Sequence, residues 1–333
     1  MKRTVSALAI ALVLAPARVA AAQSASPADT ASQATAPPAP ASAPTVSPPR
    51  LTGYVQARAT MEEKVGLTAT VNRVRVGADG ALPNRFTYRI MVEYEASGTA
   101  RTAAGVSLRD AYIRWTRDWL AVQAGQFKTP FSRNFVTSLS LLETADRPAV
   151  VDTLATKRDI GVMAEYLPRP EASLSLGVFN GEGQNLPANR DSTVLFVSRA
   201  VLRPIAQLAV GASGAAYQSD STRWGFEANY EDRGAIVRAE WIAQHRRGLG
   251  PNDEGWYVLG GYRVVPWAQL VVQQEDLIRD YIGPAARNRA TTVGANLDLG
   301  AGRTRLSVEY VARRSGPAQA SRRTGLAQLQ VRF

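Results

Sequence analysis

The chain has 333 residues, with 39 lysines and arginines against 28 aspartates and glutamates for a formal charge of +11, and it contains no cysteine. The missing thiol excludes a disulfide scaffold, a cysteine nucleophile and thiolate metal sites. No segment beyond the N-terminus holds the ~18 uninterrupted apolar residues of a helical membrane span, which leaves a soluble exported protein or a β-barrel.

At the N-terminus, Lys2 and Arg3 precede an apolar run from Val5 to Leu14 and small residues ending Ala20-Ala21-Ala22. This is the pattern of a secretory signal peptide, residues 1–22, cleaved before Gln23. Pro16 and Arg18 stop the run well short of the ~20 residues of a retained anchor. Residues 1–22 carry three cations and no acid, so the remainder has a formal charge of +8. Residues 23–50 are almost entirely Ala, Pro, Ser and Thr. Such a stretch has too little apolar side-chain area to offset chain ordering and reads as a disordered periplasmic arm.

From Leu51 the texture changes to stretches of about ten residues in which apolar and polar side chains alternate, bounded by Gly, Pro, Asp and Asn. Phe86, Tyr88, Ile90, Val92 and Tyr94 share one face of a segment whose other face carries Arg85, Thr87, Arg89, Met91 and Glu93. Trp224, Phe226, Ala228 and Tyr230 stand opposite Arg223, Glu227, Asn229 and Glu231. Leu306, Val308, Tyr310 and Ala312 stand opposite Arg305, Ser307 and Glu309. Period two means strands with two chemically different faces, which a soluble sandwich would also show. The connections favour a barrel. Every second link is short, near Asp79-Gly80, Arg117-Asp118, Pro168 to Pro170, Arg203-Pro204, Asp232 to Gly234, Val265-Pro266 and Gly300 to Gly302, and the intervening links are generally longer. Residues 51–333 are therefore expected to form an all-β, transmembrane antiparallel β-barrel of about 16 strands with periplasmic turns and external loops.

The longest link, from Lys128 to Arg158, contains Phe131, Phe135, Leu139, Leu141 and Leu142, too apolar to lie wholly in solvent. Folded into the lumen it would bring Lys128, Arg133, Arg147, Lys157 or Arg158 to a constriction; a surface lid or subunit contact is the other reading. Tryptophans fall mainly near strand ends, as an aromatic girdle requires: Trp115 and Trp119 flank one turn, Trp267 another, and Trp256 and Tyr257 begin a strand, whereas Trp241 does not fit. The chain finishes with Leu329, Val331 and Phe333 on one face. Such a terminal aromatic is the signal that the outer-membrane barrel assembly machinery reads.

Arginine supplies 35 of the 39 basic residues. Taking the apolar parity as outward turns Arg58, Arg73, Arg75, Arg89, Arg114, Arg238, Arg263, Arg305, and also Arg279 and Arg332, toward the lumen. A permanently cationic planar donor fork suits passing phosphate, sulfate or carboxylate groups, and rows of them lower the barrier for anions. Glu93, Asp110, Glu165, Glu227, Glu240, Glu275 and Glu309 also read as lumenal and could simply pair with the arginines. No enzyme, cofactor or metal site is expected. His245 is the only histidine, and no nucleophile elbow or phosphate loop is present. The cations are spread over many strands, which excludes a nucleic-acid patch.

Leu108-Arg109-Asp110-Ala111-Tyr112-Ile113, followed by Val122-Gln123-Ala124-Gly125-Gln126-Phe127-Lys128-Thr129-Pro130-Phe131, resembles the phosphate-selective porin O and P family, in which such a strand pair leads into the long third loop. Arg158-Asp159-Ile160-Gly161-Val162 resembles the strand that resumes after it, and Gly177-Val178-Phe179-Asn180-Gly181 the next strand end. The resemblance implies a sixteen-stranded, usually trimeric porin passing phosphate or related anions through an arginine-lined lumen with a lysine-rich entrance. Beyond the signal peptide only Lys64, Lys128 and Lys157 are lysines, so that entrance is not carried over, and a general or polyphosphate-preferring anion porin is as good an expectation. The expected function is thus passive diffusion of small anions across the outer membrane, with outer-membrane lipid around a homotrimer. The alternative is a closed or plugged barrel acting as an adhesin or structural envelope protein.

Overall fold

An alternating strand in lipid is stable only if both of its edges are hydrogen-bonded, because hydrocarbon offers the backbone no other partner. The computed structural model describes residues 48–333 apart from 96–104, 191, 219–220, 247–251, 281–285, 301 and 317–319. The expected signal peptide and nearly all of the arm lie outside the described residues. Among the described residues the sheet closes on itself: the first strand, β1 (Arg50–Glu62), pairs along its length with the last, β16 (Ala320–Arg332), and every strand between pairs with its two sequence neighbours, all antiparallel. The series runs through β2 (Gly66–Leu82), β3 (Phe86–Glu95), β4 (Gly105–Arg117) and β5 (Leu120–Lys128). After the long link come β6 (Arg158–Arg169), β7 (Ala172–Phe179), β8 (Leu195–Ile205), β9 (Leu208–Tyr217) and β10 (Ser221–Asp232). The rest of the wall is β11 (Ala235–Arg246), β12 (Asp253–Val265), β13 (Ala268–Arg279), β14 (Ala286–Gly300) and β15 (Thr304–Ser315). The sixteen-stranded barrel is as expected. Among the described residues no helix is long and apolar enough to cross a membrane.

The two faces are inverted relative to a soluble protein. Ile90, Trp224, Phe226, Val308 and Leu329 are exposed, whereas Gln56, Glu93, Glu309, Gln328 and Gln330 are buried. An apolar outside around a polar inside is what a bilayer demands and rules out the dry two-sheet core of a sandwich. Trp241, which the strand-end pattern left unplaced, lies on the outer face and stacks on Phe226 of the adjacent strand, with ring centroids 5.9 Å apart. Trp119 meets Tyr166 edge to face at 5.5 Å beside a short turn. Tyr257 is not a girdle residue: it is 1% exposed and its hydroxyl donates inward to Glu240 at 2.9 Å.

Two short links fall elsewhere than the sequence placed them. Asp79-Gly80 continues β2, and the chain reverses at Pro83–Arg85, where Asn84 and Arg85 take positive φ. Arg203-Pro204 lies inside β8, at an irregularity in its pairing with β9, and the turn follows at 206–207. Proline lacks an N–H and is tolerated where the ladder is already broken. Phe333 prolongs β16 by exchanging two backbone hydrogen bonds with Gly53, at 3.0 and 3.1 Å.

One strand end positions the long link. Gly125 in β5 has φ +126°, and a Cβ there would lie 2.2 Å from the Ala111 carbonyl oxygen and 2.8 Å from Tyr112 Cα. This backbone state, open to glycine alone, breaks the alternation, so that Gln126 and Phe127 are both buried. Gly125→Ala should lower barrel stability by about 1–3 kcal/mol. The expected readout is a lower temperature for conversion of the compact to the unfolded electrophoretic form of the detergent-solubilised protein.

Candidate functional site

The link between β5 and β6 is not extended coil. It contains α1 (Arg133–Val136), one 3-10 turn at Leu139–Leu141, and α2 (Ala149–Leu154). Its apolar residues Phe131, Phe135, Val150, Val151 and Leu154 form one cluster with inward-facing Phe179, Leu195, Val197, Ile236, Ile242, Tyr257, Leu259 and Leu277 of β7, β8 and β11–β13. The inner face of that wall is apolar where the loop touches it. Gly255 of β12 gives α2 room, since a Cβ there would come within 2.9 Å of Val150.

Polar contacts hold the loop's backbone. Glu240 accepts from the Asn134 amide at 2.6 Å and the Ser132 hydroxyl at 2.5 Å. Glu227 accepts from the Arg133 amide, Glu309 from the Ala145 amide and Glu275 from the Ala149 amide, at 2.8, 2.6 and 2.8 Å. Arg305 donates to the Leu142 carbonyl at 2.9 Å, Gln330 to that of Ser140 at 3.0 Å and Arg223 to that of Leu154 at 3.0 Å. Four of the seven acids expected in the lumen therefore serve the loop's amides, and Glu227 also pairs with Arg199 at 2.5 Å. Glu93, Asp110 and Glu165 instead pair with arginines: Asp110 with Arg158 at 2.8 Å, Glu165 with Arg114 at 2.5 Å, and Glu93 with Arg73, Arg75 and Arg109 together.

Two adjoining cavities lie between the loop and the β2–β7 wall. Toward the long-loop end, one of about 540 Å³ is lined by six cations, Arg73, Arg75, Arg109, Arg147, Lys157 and Arg158, against three acids, Glu93, Asp146 and Asp152. Toward the short-turn end, one of about 340 Å³ is lined by Arg75, Arg89, Arg114, Lys128, Arg158 and Arg199 against Asp110 and Glu165. Arg75 and Arg158 line both. Within the loop, burial lowers Arg147 to about 10, still cationic at neutral pH; burial also lowers Lys157 and raises Asp152 from their ordinary values. Arg147 donates to the carbonyls of Asn134, Phe135 and Thr137 at 2.8, 3.1 and 2.9 Å, and Lys128 to those of Val136 and Thr137 at 3.1 and 2.8 Å. Both cations are held without consuming an acid.

Of the residues singled out in the sequence, these cavities gather Arg73, Arg75, Arg89, Arg114, Lys128, Arg147, Lys157 and Arg158. The others stand apart. Arg58 binds Asp146 of the loop at 2.8 Å, and Arg133 and Arg238 reach Glu143 at 3.5 and 3.1 Å. Arg263, Arg305 and Arg332 line a different cavity, and Arg279 another near the long-loop end. His245 is exposed and bonds Asn252 at 2.7 Å. Sequence reading missed Arg109 and Arg199. The β3–β4 register skips Arg109, with Met91 facing Asp110 and Val92 facing Leu108, so this bulge turns both Arg109 and Asp110 inward against the alternation. Strand β8 is apolar on both faces, with Leu195, Val197 and Val201 buried and Phe196 and Leu202 exposed, which hid the inward parity of Arg199.

Removing the Glu240 carboxylate strands the Asn134 amide, the Ser132 hydroxyl and the Tyr257 hydroxyl in a buried place. A lost buried partner of this kind costs about 1–3 kcal/mol, so Glu240→Ala should speed amide hydrogen exchange at Asn134 and Phe135 by roughly 10- to 100-fold. Glu240→Gln, which keeps an acceptor oxygen, should change it far less.

Comparison with known proteins follows the same geometry. Among solved structures, the in-vitro folded trimer form of OmpT, an outer membrane protein of Vibrio cholerae, has a TM-score of 0.65 at 12% identity, covering 87% of this chain and 100% of that one. The outer membrane channel DcaP of Acinetobacter baumannii has a TM-score of 0.65 at 15% identity, covering 86% and 97%. An anion-selective porin from Comamonas acidovorans has a TM-score of 0.61 at 12% identity, covering 87% and 100%. At these identities the likeness is one of fold. No curated protein matches by sequence. The family model for phosphate-selective porin O and P matches residues 54–239, more than half of the chain and the whole of the loop and of the β2–β7 wall. The chain therefore belongs to the phosphate-selective porin O and P family, as an outer-membrane β-barrel porin and a channel rather than an enzyme.

Proposed function

We propose that the protein passes small anions by diffusion, along the two adjoining cavities between the third long loop and the β2–β7 wall. The observation that carries this reading is the excess of fixed cations there, six to three and six to two. The loop narrows the lumen by occupying its β8–β13 side, and the wall acids on that side are engaged by loop amides. Arg75 and Arg158, common to both cavities, form the constriction. The Comamonas protein is by its own name anion-selective, which supports the direction of the preference. Phosphate is taken as one permeant among small anions, because arginine forks match its oxygens while a lysine entrance is absent. A homotrimer is the proposed assembly, in line with the trimeric form of OmpT. Export through the signal peptide of residues 1–22, and insertion guided by Phe333, complete the proposal.

The test is the reversal potential of single channels in a chloride gradient. Arg73 and Arg109 are the residues to change, because Glu93 keeps Arg75 when both become glutamine and no buried acid is left alone. Arg73→Gln with Arg109→Gln should lower the anion-to-cation permeability ratio roughly two- to tenfold at 0.1 M salt, and less at 1 M, where the Debye length falls from about 10 Å to about 3 Å. The wild type should prefer anions, and added phosphate should reduce chloride current. A cation-preferring wild type would overturn the anion reading, and a channel that never conducts would leave the plugged-barrel alternative standing in its place.

A further inference from the structure

Arg263, Arg305 and Arg332 were expected on the same path as the other arginines, yet they surround a separate cavity of about 190 Å³ near the short-turn end. It shares no lining residue with the two cavities of the passage. Buried Gln56, Gln328 and Gln330 fill the interior beside it, with Gln56 donating to Gln330 at 2.8 Å. Ser140, in the 3-10 turn of the third loop, closes the side toward the loop.

The chemistry of this cavity is one-sided. Its only acid is Asp298, whose Oδ1 accepts from the amides of Gly300 and Gly302 at 3.1 and 2.9 Å. The three guanidiniums donate to backbone carbonyls: Arg263 to Pro266 at 2.9 Å, Arg305 to Leu142 at 2.9 Å, and Arg332 to Gly302. None makes an ion pair with a described carboxylate. The Arg305 Nε–H is buried and has no partner. Native structures rarely leave a charged donor so placed without a reason. Three forks around a space for one small solute, with a single acid in the lining against them, match the oxygens of a tetrahedral anion.

We infer that the barrel carries, off its permeation passage, a pocket at the short-turn mouth that binds one phosphate- or sulfate-sized oxoanion through Arg263, Arg305 and Arg332. Arg305 then joins the bound anion to the loop through its hydrogen bond to Leu142. The inference does not depend on the proposed passage, because its residues lie outside it.

The experiment is calorimetric titration of the full chain, in lipid-free detergent and a chloride background, with inorganic phosphate, alongside the chloride reversal potential of the same variants. The compact electrophoretic form establishes that each variant is folded. Arg263→Gln with Arg332→Gln should weaken phosphate binding about tenfold or more, the scale of lost charge-assisted hydrogen bonds, and leave the reversal potential unchanged. Asp298→Asn should tighten binding, a change that misfolding cannot mimic. Arg73→Gln with Arg109→Gln should do the reverse of the mouth pair, shifting the reversal potential and keeping this binding event. Wild-type affinity in the mouth pair, a reversal potential that moves with it, or no tightening in Asp298→Asn would each overturn the pocket.

Discussion

Everything in this molecule hangs on the need to pair each backbone N–H and C=O inside a medium that offers neither. Closure of β1 on β16 meets that need, and Phe333 extends the seam by its two bonds to Gly53. Once the ring is closed, period two sends one set of side chains to lipid and the other to the interior, with no third choice. The interior is then too wide for strand side chains alone to fill it, and its polar half needs partners. The third loop supplies them, so that the wall acids become anchors for amides.

That anchoring divides the lumen. On the β8–β13 side, apolar loop residues meet apolar wall residues around Ile242, Tyr257 and Leu277. Glu227, Glu240 and Glu275 end on N–H groups of the loop. On the other side the wall presents Arg73, Arg75, Arg109 and Arg158 to the loop. Glu93, fully buried, holds three of these four. One carboxylate among three guanidiniums fixes their positions yet leaves a surplus of positive charge, whereas one acid for each arginine would have left none.

The sequence disclosed the parts of this plan that repeat. Outward and inward faces were legible in β3, β10 and β15 because each turns strictly at every residue, and the loop was legible because so many apolar residues between Lys128 and Arg158 had no strand to belong to. Single irregularities were not. The bulge at Arg109 and the left-handed Gly125 each shift parity by one residue, which nothing in a period-two pattern announces. The turn after β2 was misplaced because Asp79-Gly80 has turn chemistry but sits within the ladder. Which acids would serve the loop and which would pair with arginines depends on contacts across more than 90 residues, as between Arg133 and Glu227, and such distances leave no trace in local composition.

Arginine inside the barrel suits the same division. A loop packed against one wall removes water from the groups it covers, and desolvation disfavours the charged form of any base. Lys157 is lowered in this way, whereas Arg147, though lowered to about 10, remains a cation at neutral pH. Arg147 also spreads its donors over three loop carbonyls, which a single ammonium on a flexible stem does less well. Beside a packed loop, positive charge is more secure on a guanidinium than on an ammonium. The charge that remains unspent beside the β2–β7 wall is what a passing anion would meet.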